Sequence, residues 1–254
     1  MNLVRHFTAR TLTGCALFAA FAFAQAGEVT VAVAANFAGP FARIGEAFTT
    51  ATGHTLKVST ASTGAFHAQI KAAAPFDVLL AADDETPRQL VAEGLAVPGS
   101  NFTYAIGKLV LWSVQPGFVD DQGAVLASSR FAHIAIANPK LAPYGAAALE
   151  ALKARRLAEA MAPRIVTAET VAQAWQFVAS GNAELGFVAL SQVAIPGKPA
   201  VGSYWVVPAN LYAPIRQDAV LLKAGENNTA AAALLDYLKG EASKATIRAW
   251  GYGL

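Results

Sequence analysis

The sequence predicts an α/β fold with parallel strands, and three observations carry that prediction. From Val29 onward, short apolar runs alternate with longer stretches whose apolar residues recur at helical spacing. Several of the helical stretches end at Gly, which takes the left-handed conformation of a helix C-terminus without steric cost. Small polar residues stand where one period gives way to the other, as Asn36 does inside "VAVAANFAGPFARIGEAF". A chain of 254 residues has room for one or two domains and a substantial core.

Taken in order, "VTVAVAA" (Val29 to Ala35) reads as a buried strand and "PFARIGEAFTTATG" as the helix that follows it. "TLKVST" (Thr55 to Thr60) leads into the helical "GAFHAQIKAAAP", and "FDVLLAA" (Phe76 to Ala82) into "ETPRQLVAEG". "GKLVLWS" (Gly107 to Ser113) and "HIAIAN" (His133 to Asn138) are the next strands, followed by the helical "GAAALEALKARR". "RIVTA" (Arg164 to Ala168) precedes "VAQAWQFVASG", and "LGFVAL" (Leu185 to Leu190), "YWVVP" (Tyr204 to Pro208) and "QDAVLL" (Gln217 to Leu222) complete the strands. The closing "TAAAALLDYLKGEASKATIRAWGY" reads as two short helices broken near Gly240. Two strand-rich stretches, "NFTYAIGKLVLWS" and "YWVVPANLYAP", have the character of crossings between lobes. No repeat of 20–50 residues stands out.

The first 26 residues belong to a different kind of segment. Arg5 and Arg10 precede the apolar "CALFAAFAFA", and Ala24-Gln25-Ala26 follows it. A basic start, a short apolar run and an A-x-A site make a secretory signal peptide, with cleavage expected after Ala26. Leu12-Thr13-Gly14-Cys15 resembles a lipobox, but the apolar stretch lies after the cysteine where a lipobox needs it before. Removal of residues 1–26 takes two of the 19 basic residues and none of the 17 acids, leaving 17 of each. A neutral chain without a basic run gives no support for binding nucleic acid or an anionic membrane. Cys15, the single cysteine, leaves with the leader, so neither a disulfide framework nor a cysteine metal site is expected. Export without disulfides is compatible with a bacterial periplasm.

Ligands of open α/β sheets bind beyond the carboxyl ends of strands, beside the starts of the helices that follow. Four such junctions look alike: Ala35-Asn36-Phe37, "TASTGAF" (Thr60 to Phe66), "NPKLAPYG" (Asn138 to Gly145) and "TAETVAQ" (Thr167 to Gln173). Each offers backbone N–H groups with no intrahelical partner and the positive end of a helix dipole. Capping is the ordinary use of Ser, Thr and Asn at such places, and anion binding is the more informative one. Catalytic constellations are thin. There is no G-x-S-x-G elbow, no H-E-x-x-H, no Walker loop and no G-x-G-x-x-G after a strand. His54, His67 and His133 fall in different elements and read as surface or capping residues. The acids of "AADDE" (Ala81 to Glu85) read as a helix start, and Trp112, Trp175, Trp205 and Trp250 as core or rim without clustering.

The four junctions, in order and with their spacing, resemble the periplasmic molybdate-binding proteins, the ModA family of substrate-binding components of ABC importers. The resemblance spans nearly the whole chain after the leader, and "NPKLAPYG" followed by "ETVAQA" and "LGFVAL" is its most specific part. It implies a two-lobe periplasmic-binding-protein fold, type II-like, each lobe a mixed sheet flanked by helices, joined by hinge strands. The implied division is 27–106 plus 206–254 for one lobe and 107–205 for the other. Carried over residue by residue, it makes Asn36 a side-chain and backbone donor to the oxyanion, beside Ala35, and places Ser62 and Thr63 at the second junction. It makes the backbone N–H near Tyr144 the third contact and that of Val171 the fourth. Some members carry a ligand-contacting tyrosine where this chain has Ala189; the phenol of Tyr144 stands in a loop where those members have a small residue.

Molybdate is a dianion that only accepts hydrogen bonds, so a cavity lined with neutral donors satisfies it without a buried Lys or Arg. The resemblance therefore implies a receptor for molybdate or tungstate and not an enzyme. It implies no cofactor and no direct metal ligand, a membrane permease as partner, no nucleic acid, and a monomer in the periplasm. Other readings are a receptor for another oxyanion such as sulfate or for a small carboxylate, since a fold does not determine its ligand. A periplasmic hydrolase with Ser62 as nucleophile lacks a visible His–acid pair to activate it. A ligand-sensing regulatory domain is opposed by the export signal and the absence of a DNA-binding segment.

Overall fold

The computed structural model describes residues 26–254; the leader expectation, with Arg5, Arg10 and Cys15, lies outside the described residues apart from Ala26. The strands are β1 (Glu28–Ala34), β2 (Thr55–Ala61), β3 (Val78–Leu80), β4 (Phe102–Gly107) and β5 (Leu109–Ser113). They continue as β6 (Ile134–Ala137), β7 (Ile165–Ala168), β8 (Leu185–Ala189), β9 (Ser203–Val206) and β10 (Ile215–Leu221). The helices are α1 (Ala38–Thr52), α2 (Thr63–Lys71), α3 (Glu85–Ala92), α4 (Pro143–Ala154) and α5 (Ala158–Met161). After them come α6 (Val171–Ala179), α7 (Leu190–Val193), α8 (Thr229–Lys239) and α9 (Glu241–Ala249).

Two five-stranded sheets form the two lobes, one in the order β2-β1-β3-β10-β4 and the other β7-β6-β8-β5-β9. In the first, β1 runs parallel to β2 and β3, while β10 is antiparallel to β3 and β4. In the second, β6 is parallel to β7 and β8, and β5 is antiparallel to β8 and β9. Both sheets are therefore mixed, and a chain that alternates strand and helix still needs antiparallel partners because it crosses between lobes and returns. Only Lys108 separates β4 from β5, and residues 207–214 carry the chain back. The crossings are tied together: Val207 N–H donates to Leu109 O at 3.0 Å, and the Tyr212 hydroxyl accepts from Leu109 N–H at 3.1 Å.

Central strands covered on both faces read as unbroken apolar runs, and β1 is of this kind, with Val31 to Ala34 all buried. Helix α1 turns Phe41, Ile44 and Phe48 onto the sheet at helical spacing. It stops at Gly53, whose φ of 75° places it in the left-handed region while its N–H bonds Thr49 O at 2.9 Å. The expected break at Gly240 separates α8 from α9. Where expectation and structure differ, the differences are local. The strand predicted to reach Ala35 ends at Ala34, because Ala35–Phe37 form a 3-10 turn. The strand predicted at Phe76 to Ala82 shrinks to Val78–Leu80, the length paired with β1 and β10. Helices α5 and α7, four residues each, are too short to leave a periodic signature.

Side chains set aside as structural behave largely as expected. His54 accepts the Gly27 N–H, His67 lies 3.4 Å from Glu93 at the surface, and Asp83 receives the Thr86 N–H at the start of α3. The tryptophans are a partial exception: Trp112 and Trp175 stack with ring centroids 5.6 Å apart and planes 3° from parallel. They come from β5 and α6, so only the tertiary fold pairs them. No helix among the described residues is long and apolar enough to cross a membrane.

Candidate functional site

The four junctions converge on one cavity between the lobes. Ala35, Asn36, Ser62, Thr63, Tyr144 and Val171 all line it, along with small neighbours such as Ala82 and Ala142. Their assembly follows from the topology, which brings the ends of β1 and β2 from one sheet to face the starts of α4 and α6 on the other. The start of a helix supplies N–H groups without intrahelical partners, and these groups sum to a positive potential at the cavity wall. Among the described residues, no lysine, arginine, histidine or carboxylate lines it.

Capping accounts for some of the polar residues at the junctions and not for others. Thr170 accepts the Gln173 N–H at 3.1 Å and is an ordinary cap for α6. Ser62 stands at the N-cap of α2, is buried, and makes no side-chain cap bond. Thr63, only 1 % exposed, accepts the Ala82 N–H through Oγ1 at 2.9 Å. With its oxygen used in that way, the hydroxyl proton of Thr63 remains to be donated.

Tyr144 occupies the first turn of α4 behind Pro143 and reaches the cavity with its ring buried. Its hydroxyl accepts from Gln217 Nε2 at 3.2 Å, so the phenolic proton is available to an acceptor other than Gln217. Burial pushes the phenol well above its ordinary titration range, Tyr252 adds to the shift and the Gln217 bond opposes it. Tyr144 is therefore a neutral donor throughout the physiological range. Ala189 ends β8 fully buried and does not line the cavity, so the phenol at this site comes from position 144.

Asn36 lines the cavity and is also held from behind. Its Nδ2 lies 2.9 Å from Gln217 Oε1 and 3.1 Å from the Tyr252 hydroxyl, so both amide protons have acceptors within the protein. In this arrangement both N–H bonds of the amide are engaged within the protein, and the backbone N–H at the start of the 3-10 turn has no partner within that turn. Its carbonyl accepts from Tyr252 OH at 2.8 Å and from Ser191 Oγ at 3.0 Å. Burial pushes the Tyr252 phenol up to about 12, and hydrogen bonding with Ser191 and Asn36 together with the nearby Tyr144 hydroxyl pulls it down.

Gln217, Tyr252, Ser191 and Tyr104 form the layer behind the cavity, and sequence reasoning singled out none of them. The only sign of Gln217 is an uncharged polar residue opening the apolar run "QDAVLL". Ser191 and Tyr252 lie 61 positions apart and meet only because the lobes do.

The lobes are closed on each other. Gly64 N–H donates to Leu141 O at 2.9 Å across the cleft, and a Cβ on Gly64 would stand 3.0 Å from Leu141 Cα. About 10 Å³ is open to the centre of a water-sized sphere, near the minimum that holds one water. A larger hollow of about 550 Å³ between α1 and β2 is open and carries Glu46, a charge of the wrong sign for an anion.

Comparisons with known proteins identify the family. The bacterial extracellular solute-binding protein family matches residues 29–253. The molybdate-binding protein ModA of Azotobacter vinelandii is 58 % identical over 231 residues, 91 % of this chain and 92 % of that protein. ModA of Rhodobacter capsulatus is 53 % identical over 229 residues, 90 % of this chain and 89 % of its own. A solved structure of an Azotobacter vinelandii periplasmic molybdate-binding protein superposes with a TM-score of 0.87 at 44 % identity, covering 89 % of this chain and 99 % of that one. A neutral cavity between two mixed sheets, with this degree of identity over nearly the full length, places the chain in the ModA family of bacterial extracellular solute-binding proteins.

Proposed function

We propose that this protein is a periplasmic receptor that holds molybdate or tungstate between its lobes and presents the closed form to the permease of an ABC importer. The observation that carries the reading is the cavity: helix starts and the hydroxyl-bearing residues Ser62, Thr63 and Tyr144 converge there, with no charged side chain among the described lining residues. An ion that only accepts hydrogen bonds is satisfied by such walls, whereas protonated phosphate brings a donor that finds no acceptor. Sulfate is smaller than molybdate and would be held by stretched bonds.

Ser62 and Thr63 belong to the lobe built on the sheet β2-β1-β3-β10-β4, and Tyr144 and Val171 to the lobe built on β7-β6-β8-β5-β9, which holds Val206 through its pairing with Val110 and so moves the expected lobe boundary past that residue. An anion bridging them stabilises the closed form, and the permease reads that closure. The protein works as an exported monomer, without a cofactor or a nucleic-acid partner. A hydrolase centred on Ser62 has little support. His54 is committed to Gly27, and His67 lies beside Glu93 at the surface, so neither is placed to activate the hydroxyl.

Calorimetric titration of residues 27–254 with molybdate, tungstate, sulfate and phosphate tests the proposal. The expected result is saturable one-to-one binding of the first two, with the others at least about a hundredfold weaker, or roughly 2.7 kcal/mol. Solution scattering should show compaction at saturation. Absence of heat with molybdate, together with no thermal stabilisation, would overturn the assignment.

A further inference from the structure

Behind the cavity, one buried amide contacts two of the groups that face the ligand. Gln217 is fully buried in β10, at a position where the pairing with β4 shifts register. Its Oε1 accepts from Asn36 Nδ2 at 2.9 Å and from Tyr104 OH at 3.1 Å, and its Nε2 donates to Tyr144 OH at 3.2 Å. We propose that Gln217 is the positioning residue that decides which side chain donates to the bound anion, holding the Asn36 amide to the protein and leaving the Tyr144 proton for the ligand. The inference rests on the cavity being the oxyanion site.

Hydrogen-bond bookkeeping allows two registers of this network. If the Gln217 amide were turned over, its Nε2 would face Asn36 Nδ2, donor against donor, and Asn36 would have to turn with it. Tyr144 would then give its proton to Gln217 Oε1, and the Asn36 N–H bonds would be released towards the ligand. Tyr104 tolerates either register because its own proton can go to Ala81 O, 2.9 Å away. One side chain donates to the anion only when the other does not. Tyr252 selects between them: it spends its single proton on Asn36 O at 2.8 Å and therefore accepts from the Asn36 amide, which keeps Nδ2 away from the ligand.

A double-mutant cycle on molybdate affinity tests the assignment. Tyr144→Phe should weaken binding by wild type about tenfold, the loss of one charge-assisted bond. Gln217→Glu presents only acceptors and draws the Tyr144 proton away from the anion, so it should weaken binding at least tenfold. In that background Tyr144→Phe should cost less than twofold. An equal cost of Tyr144→Phe in both backgrounds, or no cost in either, overturns the proposal. Should Gln217→Glu fail to fold, nuclear Overhauser contacts in molybdate-bound wild type decide the register. Gln217 side-chain amide protons nearest the Tyr144 ring support the proposal, and protons nearest Tyr104 overturn it. Wild type that binds no molybdate overturns both this inference and the site itself, whereas binding with an uncoupled cycle overturns this inference alone.

Discussion

Thr63→Val separates the two roles that one hydroxyl plays. Val has nearly the same shape and suits a buried position, so the perturbation is chemical rather than steric. In the wild type, Oγ1 accepts from Ala82 N–H at 2.9 Å, and its proton remains to be donated by a residue that lines the cavity. Removing the acceptor leaves a buried backbone N–H without a partner, which costs about 1–3 kcal/mol. For a chain of this size that lowers the melting temperature of ligand-free protein by about 2–12 °C. Removing the donor costs the anion one charge-assisted bond of about 1.5–3 kcal/mol, or about 10- to 150-fold in affinity. Thermal denaturation without ligand reads the first loss and calorimetric titration the second. Thr63→Ser retains both groups and should restore both quantities. Binding by Thr63→Val within threefold of wild type would refute the assignment of this hydroxyl as a ligand donor, whatever happens to the melting temperature.

Other predictions bear on the layer behind the cavity and on closure. Gly107→Ala should weaken molybdate binding at least about tenfold, because a Cβ there overlaps the Tyr144 hydroxyl and approaches Gln217 Nε2 to 2.7 Å, displacing both; titration checks the loss, and the melting temperature should fall with it because the site is overpacked. Ser191→Ala removes a bond between the lobes worth about 1 kcal/mol and should weaken binding about fivefold, chiefly through faster release seen by stopped flow. Asp83 has its carboxyl pushed above the usual range by burial, with Asp84 and Glu85 adding to the shift and Thr86 opposing it. The folded state thus holds this proton more tightly than the unfolded chain, so the ionised group destabilises above the folded pKa and the penalty disappears below the unfolded value. Asp83→Asn should accordingly raise the melting temperature at pH 7, with the gain fading as the pH falls towards 3.8.

The chain's own text determined its α/β class and the order of its elements, because period and punctuation are local properties. The apolar run of β1, the helical spacing of Phe41, Ile44 and Phe48, and the left-handed stop at Gly53 can all be read without knowing what they pack against. The same holds for the four junctions, since a polar residue between a strand and a helix is visible in sequence. Resemblance to a family then suggested that the junctions meet. Tertiary structure decided what each polar atom does once they do. Whether Asn36 presents its amide or only its backbone depends on Gln217 and Tyr252, which lie 181 and 216 positions away. Whether Ser62, Thr63 and Thr170 cap or donate depends on which neighbour claims each oxygen. A hydrogen bond has one proton and needs one partner at one distance, and only the packed lobes supply the partners.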